Sequence, residues 1–88
     1  MTPVQIAAVD CAMAVGRGIE RDYPAVHTLV AIYQDDVAVQ FWQEAGKMAS
    51  VGARLTDLAD NDGVAKRFVA VDKAIRQHLN EQKVPVLS

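Results

Sequence analysis

The stretch that decides the fold runs from Thr28 to Trp42, where two apolar runs flank a polar tripeptide. The runs are Thr28-Leu29-Val30-Ala31-Ile32-Tyr33 and Val37-Ala38-Val39-Gln40-Phe41-Trp42, separated by Gln34-Asp35-Asp36. Both runs are rich in β-branched and aromatic residues, which fit a half-buried pleated strand better than a helix. The pattern predicts a β-hairpin over about 28–33 and 37–42, with its turn at Asp35-Asp36.

The alternation of side chains divides this predicted hairpin into two faces. A turn at Asp35-Asp36 places one nearly apolar set together, in which Val30 pairs with Phe41 and Ile32 with Val39. The other face is amphipathic and carries Leu29, Tyr33 and Trp42. One apolar and one amphipathic face are typical of a hairpin that packs against the protein on one side only. We therefore interpret Tyr33, Trp42 and Leu29 as candidate partner-binding residues.

Helices are predicted on both sides of the hairpin. Thr2, Pro3 and Gln5 form a capping box with proline at the first helical position, so a first helix should run to about Glu20–Arg21. Apolar residues at helical spacing predict a second helix from Gln43 to about Asp60 and a third from Val64 to Lys83. The resulting expectation is an α+β fold, mainly helical, with the order α-β-β-α-α.

An all-α fold is the alternative. Apolar residues between 24 and 60 also step by threes and fours, which is compatible with one long helix or with two helices broken at Asp35-Asp36. The chain would then be a three- or four-helix bundle. An unbroken helix of that length is uncommon, and Glu44 would fall on its apolar stripe, so the hairpin is favoured.

The size of the chain bears on how it is stabilised. The sequence has 88 residues, of which 51% are hydrophobic and 23% charged, as expected of a single small globular domain over 1–88. A domain this small has little core, and the usual remedies are disulfides, a structural metal or oligomerisation. Cys11 is the only cysteine, and no Cys/His spacing resembles a zinc site. We therefore expect a homodimer or a higher homo-oligomer, with no metal and no cofactor.

The sequence also bears on the cellular setting. The apolar stretch 6–15 is interrupted by Asp10 and has no preceding Lys or Arg, unlike a secretory signal. No run approaches the roughly 18 apolar residues that cross a bilayer. We expect a cytoplasmic protein that does not engage a membrane.

Enzymatic chemistry finds little support in the sequence. A nucleophilic site would need Cys11 beside His27 or His78, with a carboxylate orienting the base. Cys11 lies on an apolar helix stripe, where free cysteine usually acts as a small hydrophobe. Surface or boundary positions account for both histidines. We expect a protein that is not an enzyme.

The C-terminal helix carries an alternative binding surface. Its face opposite the apolar stripe includes Lys66, Lys73, Arg76 and Lys83, and such a basic face can contact phosphates or another polyanion. The net charge of −2 argues against nucleic acid as the main partner. The sequence therefore favours a small accessory or regulatory protein that binds an unidentified protein partner. Binding of nucleic acid or an anionic ligand is the second alternative.

Overall fold

The computed structural model describes residues 2–44, 46–54 and 61–87, and there it contains two helices and three strands. The elements follow in the order α1 (Pro3–Asp22), β1 (Val26–Ile32), β2 (Asp36–Gln43), β3 (Ala49–Arg54) and α2 (Asn61–Glu81). The strands form one antiparallel sheet with β2 in the centre. Both helices pack on the same face of it. The predicted α+β class with a hairpin is confirmed.

The beginning of α1 is set by a local capping box. The Gln5 N–H donates to Thr2 Oγ1 at 3.1 Å, and the Thr2 N–H donates to Gln5 Oε1 at 2.7 Å. Pro3 occupies the first turn, where its missing N–H has no intrahelical role. These bonds satisfy groups that a helix end otherwise leaves without partners.

The hairpin forms with a register different from the predicted one. Val30 lies opposite Val39 and Ile32 opposite Val37, so the pairing is displaced by two residues and the loop is Gln34-Asp35. Asp36 is instead the first residue of β2, where it faces Arg54 of β3 and forms an ion pair with it at 3.7 Å. Because a shift of two residues leaves every side chain on its original side, the predicted faces are retained.

A third strand replaces part of the helix that the sequence predicts over 43–60. That prediction is wrong for 43–44 and 46–54, none of which is helical, and Ala49–Arg54 instead pairs along β2. Residues 45 and 55–60 lie outside the described residues. Gly46 lies in a turn, its N–H donating to the carbonyl of Gln43 at 2.8 Å. The small residues of Ala49–Arg54 fit the strand and helix periods equally well. A two-stranded hairpin would leave one edge of β2 unpaired, and pairing with this edge favours the strand.

The core lies between the sheet and the helices. Val37, Val39 and Phe41 of β2 are buried there, and α2 contributes the stripe predicted from its sequence: Val64, Phe68, Val71, Ile75 and Leu79. We call this side of the sheet the helix-covered face. The other side, here called the open face, carries His27, Leu29, Ala31, Tyr33, Asp36, Ala38, Gln40, Trp42, Ser50, Gly52 and Arg54.

The end of α2 folds the C-terminal segment back onto the core. Lys83 has a φ of 57°, and the Val84 N–H donates to the carbonyl of Leu79 at 3.0 Å. These features define a Schellman motif, whose apolar contact is supplied by the buried Val84 and Leu79. Farther on, the Leu87 N–H donates to the carbonyl of Asp22 at 2.7 Å, so the segment runs past the end of α1.

Candidate functional site

The three residues predicted to bind a partner lie on the open face of the sheet. Leu29 and Tyr33 are 52% and 54% exposed, and neither is covered by the helices or by the described C-terminal segment. Trp42 is half-buried, because His27 on the neighbouring strand packs beside it with ring centroids 5.9 Å apart. The structure therefore brings all three to one side of the molecule.

The centre of the open face is flat because its residues are small. Ala38 lies opposite Gly52, and a Cβ built at Gly52 would be 2.8 Å from the Cβ of Ala38. A shallow depression of about 310 Å³ results, bounded by Tyr33 at one side and Arg54 at the other. Large apolar side chains around a flat centre form a surface on which another protein can pack closely.

Polar contacts fix the side chains at the end of the open face nearest the hairpin loop. The Gln40 Nε2 donates to the hydroxyl of Tyr33 at 3.2 Å. Asp36 and Arg54 form the exposed ion pair already described. Side chains held in this way lose less conformational freedom when a partner binds.

The basic face of α2 is less uniform than its sequence indicates. Lys66, Lys73 and Lys83 are exposed, as predicted, but Arg76 is not opposite the apolar stripe. Its guanidinium is half-buried beside α1, with Nη1 2.7 Å from Asp22 Oδ2 and Nε 3.0 Å from Asp72 Oδ2. Arg76 lies about 100° around the helix from Ile75, which puts it at the border of the apolar stripe rather than across from it.

Arg76 joins the ends of the two helices. Its Cζ lies 6.0 Å from the centre of the buried Tyr23 ring, whose hydroxyl donates to Asn80 Oδ1 at 2.9 Å. Hydrogen bonds from Arg21 and Arg76 lower the pKa of Asp22 to about 2. Burial acts to lower the pKa of Arg76, but its bonds to Asp22 and Asp72 raise it overall. Arg76 therefore has a structural role, which leaves three of the four predicted anion-binding residues for that task.

A groove of about 670 Å³ runs between α1 and α2 on the outer surface of the helices. Its floor includes Cys11, Ala14 and Phe68, and Arg17 and Arg21 stand on its α1 side. Arg21 is held by Asp22 at 3.0 Å. The groove is shallow and open, and its floor continues into the core.

The groups considered for catalysis are placed on different elements. Cys11 is half-buried on α1, His27 lies on the open face, and His78 of α2 packs edge-on against Phe41, with ring centroids 5.6 Å apart. Within the described ranges, no group of three or more His, Cys, Asp or Glu side chains could hold a metal ion.

Two structural features, one on the open face and one at the edge of β1, were not predicted from the sequence. The contact of Gly52 with Ala38 flattens the open face, and the carboxylate of Glu20 accepts the Thr28 N–H at 3.2 Å and the Thr28 hydroxyl at 2.6 Å. Once Ala49–Arg54 is known to be a strand, a glycine within it indicates close approach by a neighbouring residue. The Glu20 bond depends on how α1 lies across β1, which the sequence pattern does not specify.

Comparison with known proteins adds no relative. The chain has no significant match to a family model, to a curated protein or to a solved structure. Neither described helix has the combination of length and apolar character needed to cross a membrane.

Proposed function

We propose that this protein is a small accessory or regulatory binding protein that acts through protein–protein contact as a homo-oligomer. The open face of the sheet would be its binding surface. The observation that supports this proposal is the exposure of Leu29 and Tyr33 beside Trp42 around a flat centre. Aromatic residues in such positions contribute much of the binding free energy in protein interfaces.

We further propose a cytoplasmic setting for this activity. The only cysteine of the chain, Cys11, has no internal disulfide partner, which accords with a reducing compartment. We propose no enzymatic activity, no cofactor and no membrane contact for this protein.

The experiment compares partner capture by matched variants. The wild-type protein, Tyr33→Ala and Lys73→Glu are immobilised and exposed to extract from the source cells, and bound proteins are identified by mass spectrometry. A partner of the open face should be retained by the wild type and by Lys73→Glu. Tyr33→Ala should weaken its binding by about 2 kcal/mol or more, which is roughly 30-fold. A partner that still binds the Tyr33→Ala variant but no longer binds the Lys73→Glu variant would contradict the proposal.

The alternative function is binding of nucleic acid or another polyanion at the exposed lysines of α2. It predicts an affinity that falls steeply with salt, because each phosphate contact releases counterions. Fluorescence anisotropy with labelled DNA and RNA at low salt tests it directly, with Lys66→Glu and Lys73→Glu as variants. We expect no binding, since Arg76 is engaged by Asp22 and Asp72.

A further inference from the structure

β1 is an edge strand of the sheet, and within the described residues no strand pairs with its outer side. In an antiparallel pair, successive residues direct their backbone N–H and C=O groups alternately toward the neighbouring strand and away from it. The Tyr33 N–H donates to the carbonyl of Asp36, so the odd-numbered residues of β1 bond to β2. The even-numbered residues Thr28, Val30 and Ile32 therefore direct these groups to the free edge.

The two halves of this edge differ. In the first half, the Val26 N–H donates to the carbonyl of Tyr23 at 2.9 Å, and the Thr28 N–H donates to Glu20. In the second half, no bond from a described residue reaches the outward groups of Val30 and Ile32. Proteins usually block a free edge with charged residues or proline, and Val26–Ile32 contains neither. Val30 and Ile32 thus offer an open template for another strand.

An apolar stripe of α1 lies alongside this open half. Ile6, Met13 and Glu20 are spaced by seven residues, so they fall on one side of the helix, and Glu20 is bonded to the edge at Thr28. Thr28 lies beside both Glu20 and Gly16 of α1, so it is level with about residue 18 of the helix. Two strand residues advance about 6.6 Å, as far as four to five helix residues, which puts Val30 level with Met13 along α1. Ile6, Met13 and Ile32 are exposed apolar side chains. Together they form an apolar border around the open half of the edge.

We infer that β1 pairs through Val30 and Ile32 with the β1 of a second copy of this chain, antiparallel about a two-fold axis. The two sheets then form one continuous sheet, and the α1 stripe of Ile6 and Met13 packs against the same stripe of the second copy. This inference rests on the homo-oligomer proposed above and names its interface.

The chemistry of the edge fits a second copy in particular. Val30 and Ile32 each present one N–H and one C=O, and the same segment in antiparallel orientation presents the matching set. All of these groups can be satisfied while Glu20 remains bonded to Thr28. The carboxylate therefore restricts pairing to the second half of the strand.

Charges on α1 are complementary to themselves in this arrangement. Asp10 lies three residues before Met13, and Arg17 lies four residues after it. Both side chains are exposed, and neither forms an ion pair with a described residue. When two α1 helices cross antiparallel near Met13, Asp10 of each copy comes close to Arg17 of the other. Like charges would face each other if the helices were parallel, so the charges favour the antiparallel two-fold pairing.

The first experiment measures the oligomeric state of edge variants by analytical ultracentrifugation at high micromolar concentration. Val30→Pro removes an outward N–H that β2 does not use, and Ile32→Lys adds a charge at an exposed edge position. Both should convert the dimer to a monomer with an unchanged circular dichroism spectrum. Ser50→Pro on the free edge of β3 and Val69→Lys on α2 are the matched controls, and both should remain dimers.

Two further measurements keep the test informative if an edge variant is unstable. Arg17→Asp should weaken the dimer, and the combination of Asp10→Arg with Arg17→Asp should restore it. By amide hydrogen exchange, the Val30 and Ile32 N–H groups should become protected as the protein concentration rises. Thr28, which is bonded to Glu20, should be protected at every concentration.

The outcomes separate this inference from the proposed function. A dimer that survives Ile32→Lys but dissociates with Leu29→Ala or Trp42→Ala would overturn the β1 interface and retain self-association through the open face. A wild-type monomer at high concentration would overturn both the interface and the homo-oligomer. Partner binding at the open face is then decided separately by the capture experiment with Tyr33→Ala.

Discussion

The two faces of the sheet are built from the same strands and differ in what they contribute. On the helix-covered face, Val37, Val39 and Phe41 of β2 are at most 3% exposed. On the open face, Leu29 and Tyr33 keep about half of their surface in solvent. The helix-covered face therefore supplies the core, and the open face leaves apolar side chains in solvent, where we propose that a partner binds. An apolar side chain in this sheet therefore cannot be assigned a role until the face that carries it is known.

The largest expected effect is on the free energy of unfolding, when a side chain of the helix-covered face is truncated. Phe41→Ala should reduce the free energy of unfolding by about 3–5 kcal/mol, because it leaves a cavity beneath the helices. Leu29→Ala on the open face should change it by less than about 1 kcal/mol. Urea unfolding at one fixed protein concentration measures both, and Phe41→Leu serves if Phe41→Ala does not fold. Equal losses for Phe41→Ala and Leu29→Ala would show that the open face is also part of the core.

A smaller effect is expected at the centre of the open face. Gly52→Ala would place a Cβ 2.8 Å from both the Cβ of Ala38 and the backbone carbonyl oxygen of Val37, so it should cost about 1–3 kcal/mol. Ser50→Ala, on the same strand and face, should change stability by less than about 0.5 kcal/mol. Ala38→Gly should rescue Gly52→Ala only in part, because the contact with the carbonyl oxygen of Val37 remains. Thermal unfolding should be measured for Gly52→Ala, Ser50→Ala, Ala38→Gly and the double variant of Gly52→Ala with Ala38→Gly. Equal losses of stability in Gly52→Ala and Ser50→Ala would contradict this account.

The smallest effect concerns how the covering helices respond to acid. The pKa of Asp22 is lowered to about 2 by its bonds to Arg21 and Arg76, from an ordinary value of 3.8. A lowered carboxyl pKa stabilises the fold above about pH 4, and this contribution is lost as the pH falls toward 2. Asp22→Asn should therefore flatten the decline in stability between pH 4 and 2. Asp35→Asn in the hairpin loop is the control, and an acid unfolding curve identical in wild type and Asp22→Asn would contradict the assignment.

The predictability of the fold differs from element to element. The capping box at Thr2 and the apolar stripe of α2 depend on residues close in sequence, so they were predicted and are confirmed. The faces of the hairpin were also predicted, because side-chain alternation does not change when the register shifts by two. In the observed register Asp36 belongs to β2 and faces Arg54, a residue of a strand that the sequence pattern indicated as helix. A local pattern cannot specify a contact between elements whose identities are not yet known.

The candidate site shows the same division. Sequence alternation alone grouped Leu29, Tyr33 and Trp42, and the structure places them together on the open face. The basic face of α2 was predicted as uniform, but Arg76 turned toward Asp22, which is distant in sequence. Its position at the border of the apolar stripe made either orientation available, and only the packing of α1 beside α2 selected one.

What the sequence by itself determined is therefore the set of local features: the helix start at Thr2, the α2 stripe, the presence of a hairpin and the identity of its faces. Each follows from hydrogen bonds or side-chain periodicity within a few residues. What only the tertiary structure decided is β3, the hairpin register, the pairing of Arg76 and the bond of Glu20 to the β1 edge. Each of these depends on a neighbouring element that reaches the residue through space, and its free energy is gained only when both elements are in place.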